Sequence, residues 1–239
     1  MKKHLIILLL IIPSIIYSYN HVFDEGNQEY SNENYNEALQ IYFSIKDSNN
    51  AILYYNIANC YYKLNDFPSA ILYYEKSLKL DNTLTDAKYN LEIANLRIID
   101  RIEKLPELFY IKWWNYICNI FTIKTWQIFS IILIWLFLIL KITERYYMYL
   151  RIWSKIIFIL SLITLLITVD VYKKSKERYA ILFSSIETVR SAPSEKSTNL
   201  FNIHSGTKIE IVDQIGNWIN IKIDNGNTGW INLLSCKEI

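Results

Sequence analysis

Residues 51–82 read AILYYNIANCYYKLNDFPSAILYYEKSLKLDN, and this stretch decides the fold of everything from residue 19 to residue 100. Aromatic and small residues return here at a repeat spacing rather than along one amphipathic stripe. Close helix packing explains the residue types. Small side chains such as Ala58 and Ala70 let a neighbouring helix approach, and tyrosine rings fill the space around them. A weaker copy precedes: Gly26 and Ala38 keep the 12-residue separation of Ala58 and Ala70, with Tyr35 and Tyr42 beside them. The two copies are 32 residues apart, and the shortening falls in the turn at 46–50. A third first-helix comes next in TDAKYNLEIANLRI, where Tyr89-Asn90-Leu91 repeats Tyr55-Asn56-Ile57 at a spacing of 34. It has no second helix and is expected to cap the array.

The 51–82 unit resembles a tetratricopeptide repeat. Tyr54, Ile57, Ala58 and Tyr61 take the first helix's signature places, and Ala70, Tyr74 and Ser77 take the second's; Asn82 stands where a proline usually ends the unit. The resemblance implies a concave binding side carrying Tyr55, Asn59, Tyr62 and Lys63, with Asn27, Asn56 and Asn90 nearby. An asparagine amide both donates and accepts, so such a row suits the backbone of an extended peptide. In a chain this rich in asparagine, a merely solvated surface is the competing reading. Repeats that clamp a C-terminal carboxylate add lysine or arginine at fixed first-helix places. Phe23, Asp86 and Asn90 hold those places here, which argues against that ligand.

At 239 residues, 52% hydrophobic and with positive mean hydropathy, the chain exceeds what one soluble domain uses, so membrane segments are expected. Its 25 basic and 23 acidic residues are interspersed over the first hundred positions, which excludes a nucleic-acid surface. Cys60, Cys118 and Cys236 lie far apart without metal or redox spacing and read as buried thiols. Residues 1–18 read as a secretion signal: Lys2 and Lys3, an apolar run from Leu5 to Ile12, a break at Pro13 and a small residue at Ser18. An uncleaved anchor is the alternative. Either one places the 19–100 repeats outside the cytoplasm.

Residues 101–124 are aromatic and sparsely charged. Trp113, Trp114 and Tyr116 suit the membrane interface, so a helix lying on the bilayer surface is expected. Two spans are expected at 125–142 and 152–172, with a soluble buried hairpin as the alternative. The 143–151 loop, with Arg145 and Arg151 against Glu144 and flanked by Lys141 and Lys155, reads as cytoplasmic by the positive-inside rule. Lys173, Lys174, Lys176 and Arg178 at the other end oppose that orientation. Asp170, near the outer end of the second span, reads as solvated.

From residue 179 to residue 239, short β-branched runs replace long helices, at 186–190, 207–212, 218–223 and 228–233. Ile219, Ile221 and Ile223 alternate with polar partners, and Asn225-Gly226 marks a tight turn. Val189-Arg190-Ser191-Ala192-Pro193, Gly206-Thr207-Lys208, Gly216-Asn217-Trp218 and Gly226 with Gly229-Trp230 resemble the bacterial SH3-like barrel. That resemblance implies binding of cell-wall peptides or proteins through exposed aromatics, for which Trp218 and Trp230 are candidates; each ring could equally cap the small core.

The expected fold is therefore a multidomain membrane protein: an all-α tetratricopeptide-repeat array, two transmembrane helices and a C-terminal all-β SH3-like barrel. The whole order resembles the BatE family of Bacteroides aerotolerance proteins, most closely at DAKYNLEIAN, Trp113-Trp114 and VRSAPSEKSTNLFNIHSGTKIEIVD. The family resemblance implies an envelope complex with membrane proteins that carry von Willebrand factor A domains, and a linked MoxR-type ATPase. His21 and His204 stand alone in their modules and only five glycines occur, so no catalytic residue, metal or cofactor is expected. Three readings are weighed: a protein scaffold, a sensor that binds peptidoglycan, and an unrecognised hydrolase.

Overall fold

The computed structural model describes residues 21–45, 50–103 and 105–239. The expected signal at 1–18 and most of the shortened turn at 46–50 lie outside the described residues. The repeats form α1 (21–31), α2 (Tyr35–Ser44), α3 (Ala51–Lys63), α4 (Phe67–Leu80) and α5 (Thr85–Asn95). Local chemistry sets the boundaries. Asn50 caps α3 by accepting from the Ile52 and Leu53 amides at 2.9 and 3.1 Å, and Asp66 accepts from the Ser69 amide ahead of the packed face of α4. Between the helices of each pair, Glu33 and Asn65 both adopt a positive φ of about 60°, 32 residues apart. The repeat period is thus written in the backbone as well as in the side chains.

The small residues do what their spacing predicts. Ala38, Ala58, Ala70, Ala87 and Ala94 are fully buried, and a Cβ on Gly26 would lie 2.5 Å from the Tyr42 ring. Ser77 is buried too, and its hydroxyl donates to the Ala51 carbonyl at 2.7 Å, tying α4 to α3.

The C-terminal module has seven strands: β1 (Arg178–Leu182), β2 (Ile186–Arg190), β3 (Asn199–His204), β4 (Lys208–Ile215), β5 (Trp218–Lys222), β6 (Thr228–Asn232) and β7 (Cys236–Glu238). They form one antiparallel sheet in the order β3-β2-β6-β5-β4-β1-β7. The expected SH3-like barrel is, among the described residues, a seven-stranded sheet that runs from β3 to β7 without closing. Ile219, Ile221 and Ile231 alternate inward onto Val189, Ile203 and Ile209, as their period-two pattern requires. Strands β1, β3 and β7 carry too little alternation to be read from sequence.

The repeats to Glu103 and the sheet from Tyr179 fold as a single compact unit, although the two long apolar helices separate them in sequence. Ile181 of β1 is fully buried within the cluster that holds Ile71, Leu72, Ala87 and Ala94 of the repeats. Ile98, Phe183 and Ile239 pack on the same cluster. Thus Ile181 of the sheet packs in one apolar cluster with residues of α4 and α5. Polar contacts rim this apolar seam: Lys208 Nζ meets Glu75 Oε2 at 2.7 Å, and Asp100 accepts from His204 and Thr207. The β3–β4 turn can come this close because Gly206 has no side chain; a Cβ there would overlap Ile98 Cγ2.

The second unit contains α6 (Phe109–Cys118), α7 (Ile123–Thr143) and α8 (Leu150–Ser175). At 21 and 26 residues, α7 and α8 extend about 32 and 39 Å, against a bilayer core of about 30 Å. Their apolar surfaces are mostly exposed, and both helices are long and apolar enough to cross a membrane. Between them Ser130 and Thr168 share a hydrogen bond at 2.9 Å. Two expectations change here. Trp114 is turned inward to Asp170, and Asp170 is held by side chains instead of being simply solvated.

Candidate peptide-binding groove

The groove asparagines come from successive first helices and the tyrosines that meet them from the second helices, so the repeat period brings equivalent side chains into line. Asn27 of α1 accepts at Oδ1 from the Tyr42 hydroxyl at 2.7 Å and from Asn56 Nδ2 at 2.9 Å. Asn59 of α3 does the same one repeat on, accepting at Oδ1 from the Tyr74 hydroxyl at 2.5 Å and from Asn90 Nδ2 at 3.0 Å. The Asn–Tyr–Asn set therefore occurs twice, each member 32 to 34 residues from its copy. Asn90 Nδ2 also reaches the Tyr55 hydroxyl at 3.3 Å.

Two depressions run along this ladder. One, of about 180 Å³, is lined by Tyr30, Asn59, Tyr62, Lys63, Tyr74, Asn90 and Ile93. The other, of about 120 Å³, is lined by Asn27, Tyr30, Ser31, Tyr42, Asn56 and Asn59. Tyr30 and Asn59 belong to both, so the depressions are neighbours along one groove. Six of the seven expected concave residues line them; Tyr55 meets the ladder through its hydroxyl, at Asn90, and through its ring, against Tyr74. Tyr30, Ser31, Tyr42, Tyr74 and Ile93 join the lining without having been expected there. Tyr42 and Tyr74 are core by their rings, 1% exposed, yet their hydroxyls serve the groove. That dual placement has no signal in spacing alone.

The ladder also changes what the asparagines offer. Asn27 and Asn59 spend their oxygens internally, and among the described residues neither Nδ2 has a hydrogen-bond partner. The groove therefore presents amide donors, with the exposed Lys63 ammonium beside them. Burial pushes the Tyr42 and Tyr74 hydroxyls up from their ordinary value, and that of Tyr30 to about 12, so all three stay protonated at neutral pH. A donor-rich, singly cationic groove suits ligand carbonyl and carboxylate oxygens.

On the sheet, Trp218 and Trp230 lie on the face opposite Ile219, Ile221 and Ile231, because successive strand residues alternate sides. Both are half-buried. Asn220 stands between them in the ladder, paired with Trp230, which in turn faces Arg190 of β2. The Asn220 Oδ1 is buried and, among the described residues, has no hydrogen-bond partner. Neither tryptophan belongs to the isoleucine core cluster.

An α-helical repeat joined to a β-sheet module and to two long apolar helices defines the class of protein. Residues 51–84 match the family described as Tetratricopeptide repeat, and residues 186–233 match Bacterial SH3 domain. No curated protein matches the chain. Among solved structures, an NlpC/P60 family protein from Bacillus cereus ATCC 10987 is similar at 15% identity and a TM-score of 0.23. That likeness covers 30% of this chain, which spans only 23% of that protein.

Proposed function

We propose that the chain is a non-catalytic, membrane-anchored scaffold that holds an extended segment of a partner protein in its repeat groove. The observation that carries this reading is the duplicated Asn–Tyr–Asn ladder, which leaves amide donors in register on successive repeats beside Lys63. Carbonyl oxygens of an extended backbone meet such donors at regular intervals, and an acidic side chain meets Lys63. Anchoring rests on α7 and α8. Because repeats and sheet share one packed core, a hairpin between them returns the chain to the side it left, so both modules lie on one face of the bilayer. The export segment and the basic 143–151 loop support the periplasmic face of a bacterial inner membrane. The resemblance to BatE proteins supports von Willebrand factor A-domain membrane proteins as partners and a role in aerotolerance or stress resistance.

The test is crosslinking in intact cells, then affinity purification of the full chain and identification of what is bound. Recovery of membrane proteins that are lost on Asn59→Asp with Lys63→Ala supports the groove. Retention of every partner by that variant sinks it. A second reading, an adaptor that binds peptidoglycan through the sheet, is favoured by the outward placement of Trp218 and Trp230 around Asn220. Sedimentation of the detergent-solubilised chain with purified peptidoglycan, abolished by Trp218→Ala with Trp230→Ala, would establish it; no sedimentation removes it.

A further inference from the structure

Helix α6 is fastened to both long helices at the open end of their hairpin. Trp114 Nε1 donates to Asp170 Oδ2 at 3.0 Å, and the Cys118 thiol lies 3.7 Å from the same oxygen. Lys174 pairs with that carboxylate at 2.8 Å and donates to Asn115 Oδ1 at 2.7 Å. From α7, Trp126 Nε1 donates to the Cys118 carbonyl at 3.1 Å. One side of α6 is thus consumed by docking.

The other side is aromatic and bare. At about 100° per residue, Phe109, Trp113 and Tyr116 fall within about 60° of one another and roughly opposite Trp114 and Cys118. They are 85, 66 and 71% exposed. Rings with a polar edge belong where apolar and wet layers meet. Three features of the unit specify a lipid surface as the occupant. The face continues the exposed apolar surfaces of α7 and α8, it sits at their ends, and Lys112 stands beside it while Lys124 and Lys174 flank the same hairpin end, where phosphate headgroups would lie.

We propose that α6 is an in-plane interfacial helix, positioned by Asp170, whose Phe109–Trp113–Tyr116 face is taken by the headgroup–acyl boundary of the bilayer. Asp170 is a positioning residue: its Oδ2 orients Trp114 and Lys174, and through them the opposite face of α6. The proposal rests on the reading that α7 and α8 span the membrane.

The experiment places the full chain in nanodiscs of phosphatidylethanolamine and phosphatidylglycerol, photolyses a carbene reagent dissolved in the acyl layer, and maps the labelled residues by mass spectrometry. Labelling of Phe109, Trp113 and Tyr116 together with Ile132 and Ile159, with Trp114 protected, is expected. In Asp170→Ala the α6 labels should fall at least about threefold while Ile132 and Ile159 keep theirs. Asp170→Asn keeps an acceptor for Trp114 and should retain them. Labelled spans with an unlabelled α6 overturn the proposal and leave the spans standing. Unlabelled Ile132 and Ile159 overturn the span reading and this proposal with it. Unchanged α6 labels in Asp170→Ala overturn the positioning role.

Discussion

Asp100 and His204 meet twice across 104 residues of chain that include both long helices: the His204 amide donates to Asp100 Oδ2 at 2.6 Å, and the ring Nδ1 lies 2.7 Å from Oδ1. The Thr207 hydroxyl adds a third contact at 2.8 Å. One carboxylate thereby joins the end of the repeats to the β3–β4 turn, at the rim of the seam around Ile181. Replacing it with Asp100→Ala strands two or three partly buried donors and should cost about 1–3 kcal/mol. Thermal unfolding and limited proteolysis near residue 100 are the measurements; an unchanged melting temperature would show that the seam does not need this contact.

The same contact carries a pH dependence. Burial raises the Asp100 carboxyl, but the His204 amide, the Thr207 hydroxyl and the His204 ring outweigh it and hold it below the usual value. A depressed acid contributes stability above the unfolded carboxyl value, about 3.9, and loses it as pH falls through the lower folded value. The advantage of the native protein over Asp100→Asn should be full near neutral pH and shrink below about pH 4. An advantage that grows on acidification would refute the assignment.

Ile181 makes a sharper prediction about folding units. Truncation to alanine removes a side chain buried between modules and should cost about 2–4 kcal/mol. Because Ile181 belongs to the repeat cluster, hydrogen exchange should rise in α5 as well as in β1. Faster exchange confined to the sheet would mean that the two modules unfold independently.

Gly206 tests the close approach itself. It has a φ of +90° and no room for a Cβ against Ile98, so Gly206→Ala combines backbone strain with overlap and should cost about 1–3 kcal/mol or more. Gly216, with open space around its Cβ position but a φ of +57°, is the control in which only the strain remains. Equal melting temperatures for the two variants would argue against tight packing at the seam.

Cys60 should be chemically silent. Burial raises its thiol to about 12, so alkylation at about pH 8 should leave it intact in the folded chain while unfolding exposes it. Rapid modification by iodoacetamide under native conditions would contradict the packing of α3.

Much of this molecule is legible in one dimension because its determinants are periodic. Small residues spaced by 12 within a repeat and by 32 between repeats announced the paired helices, since only close helix packing makes that pattern useful. The two long apolar runs and the alternating isoleucines of β5 were equally plain, each reporting a local period. The edge strands β3 and β7 were not, because a strand with little buried surface needs no alternation.

The groove was half legible. Its asparagines come from the repeat, but the tyrosine hydroxyls that consume their oxygens sit on side chains whose rings belong to the core. Only the folded arrangement shows both ends of such a residue. The outward turn of Trp218 and Trp230 needed only strand parity once β5 and β6 were placed.

The sequence by itself determined the helices, the strands β2, β4, β5 and β6, their order and the candidate groove positions, because helix and strand periods are short-range properties of the chain. Only the tertiary structure decided that repeats and sheet share one core. Ile181, Gly206, Asp100 and His204 carry that interface, and they are separated by up to 106 residues of chain with no common period. Their meeting depends on complementary surfaces: an apolar face of α4 and α5, and a strand with an isoleucine to bury against it.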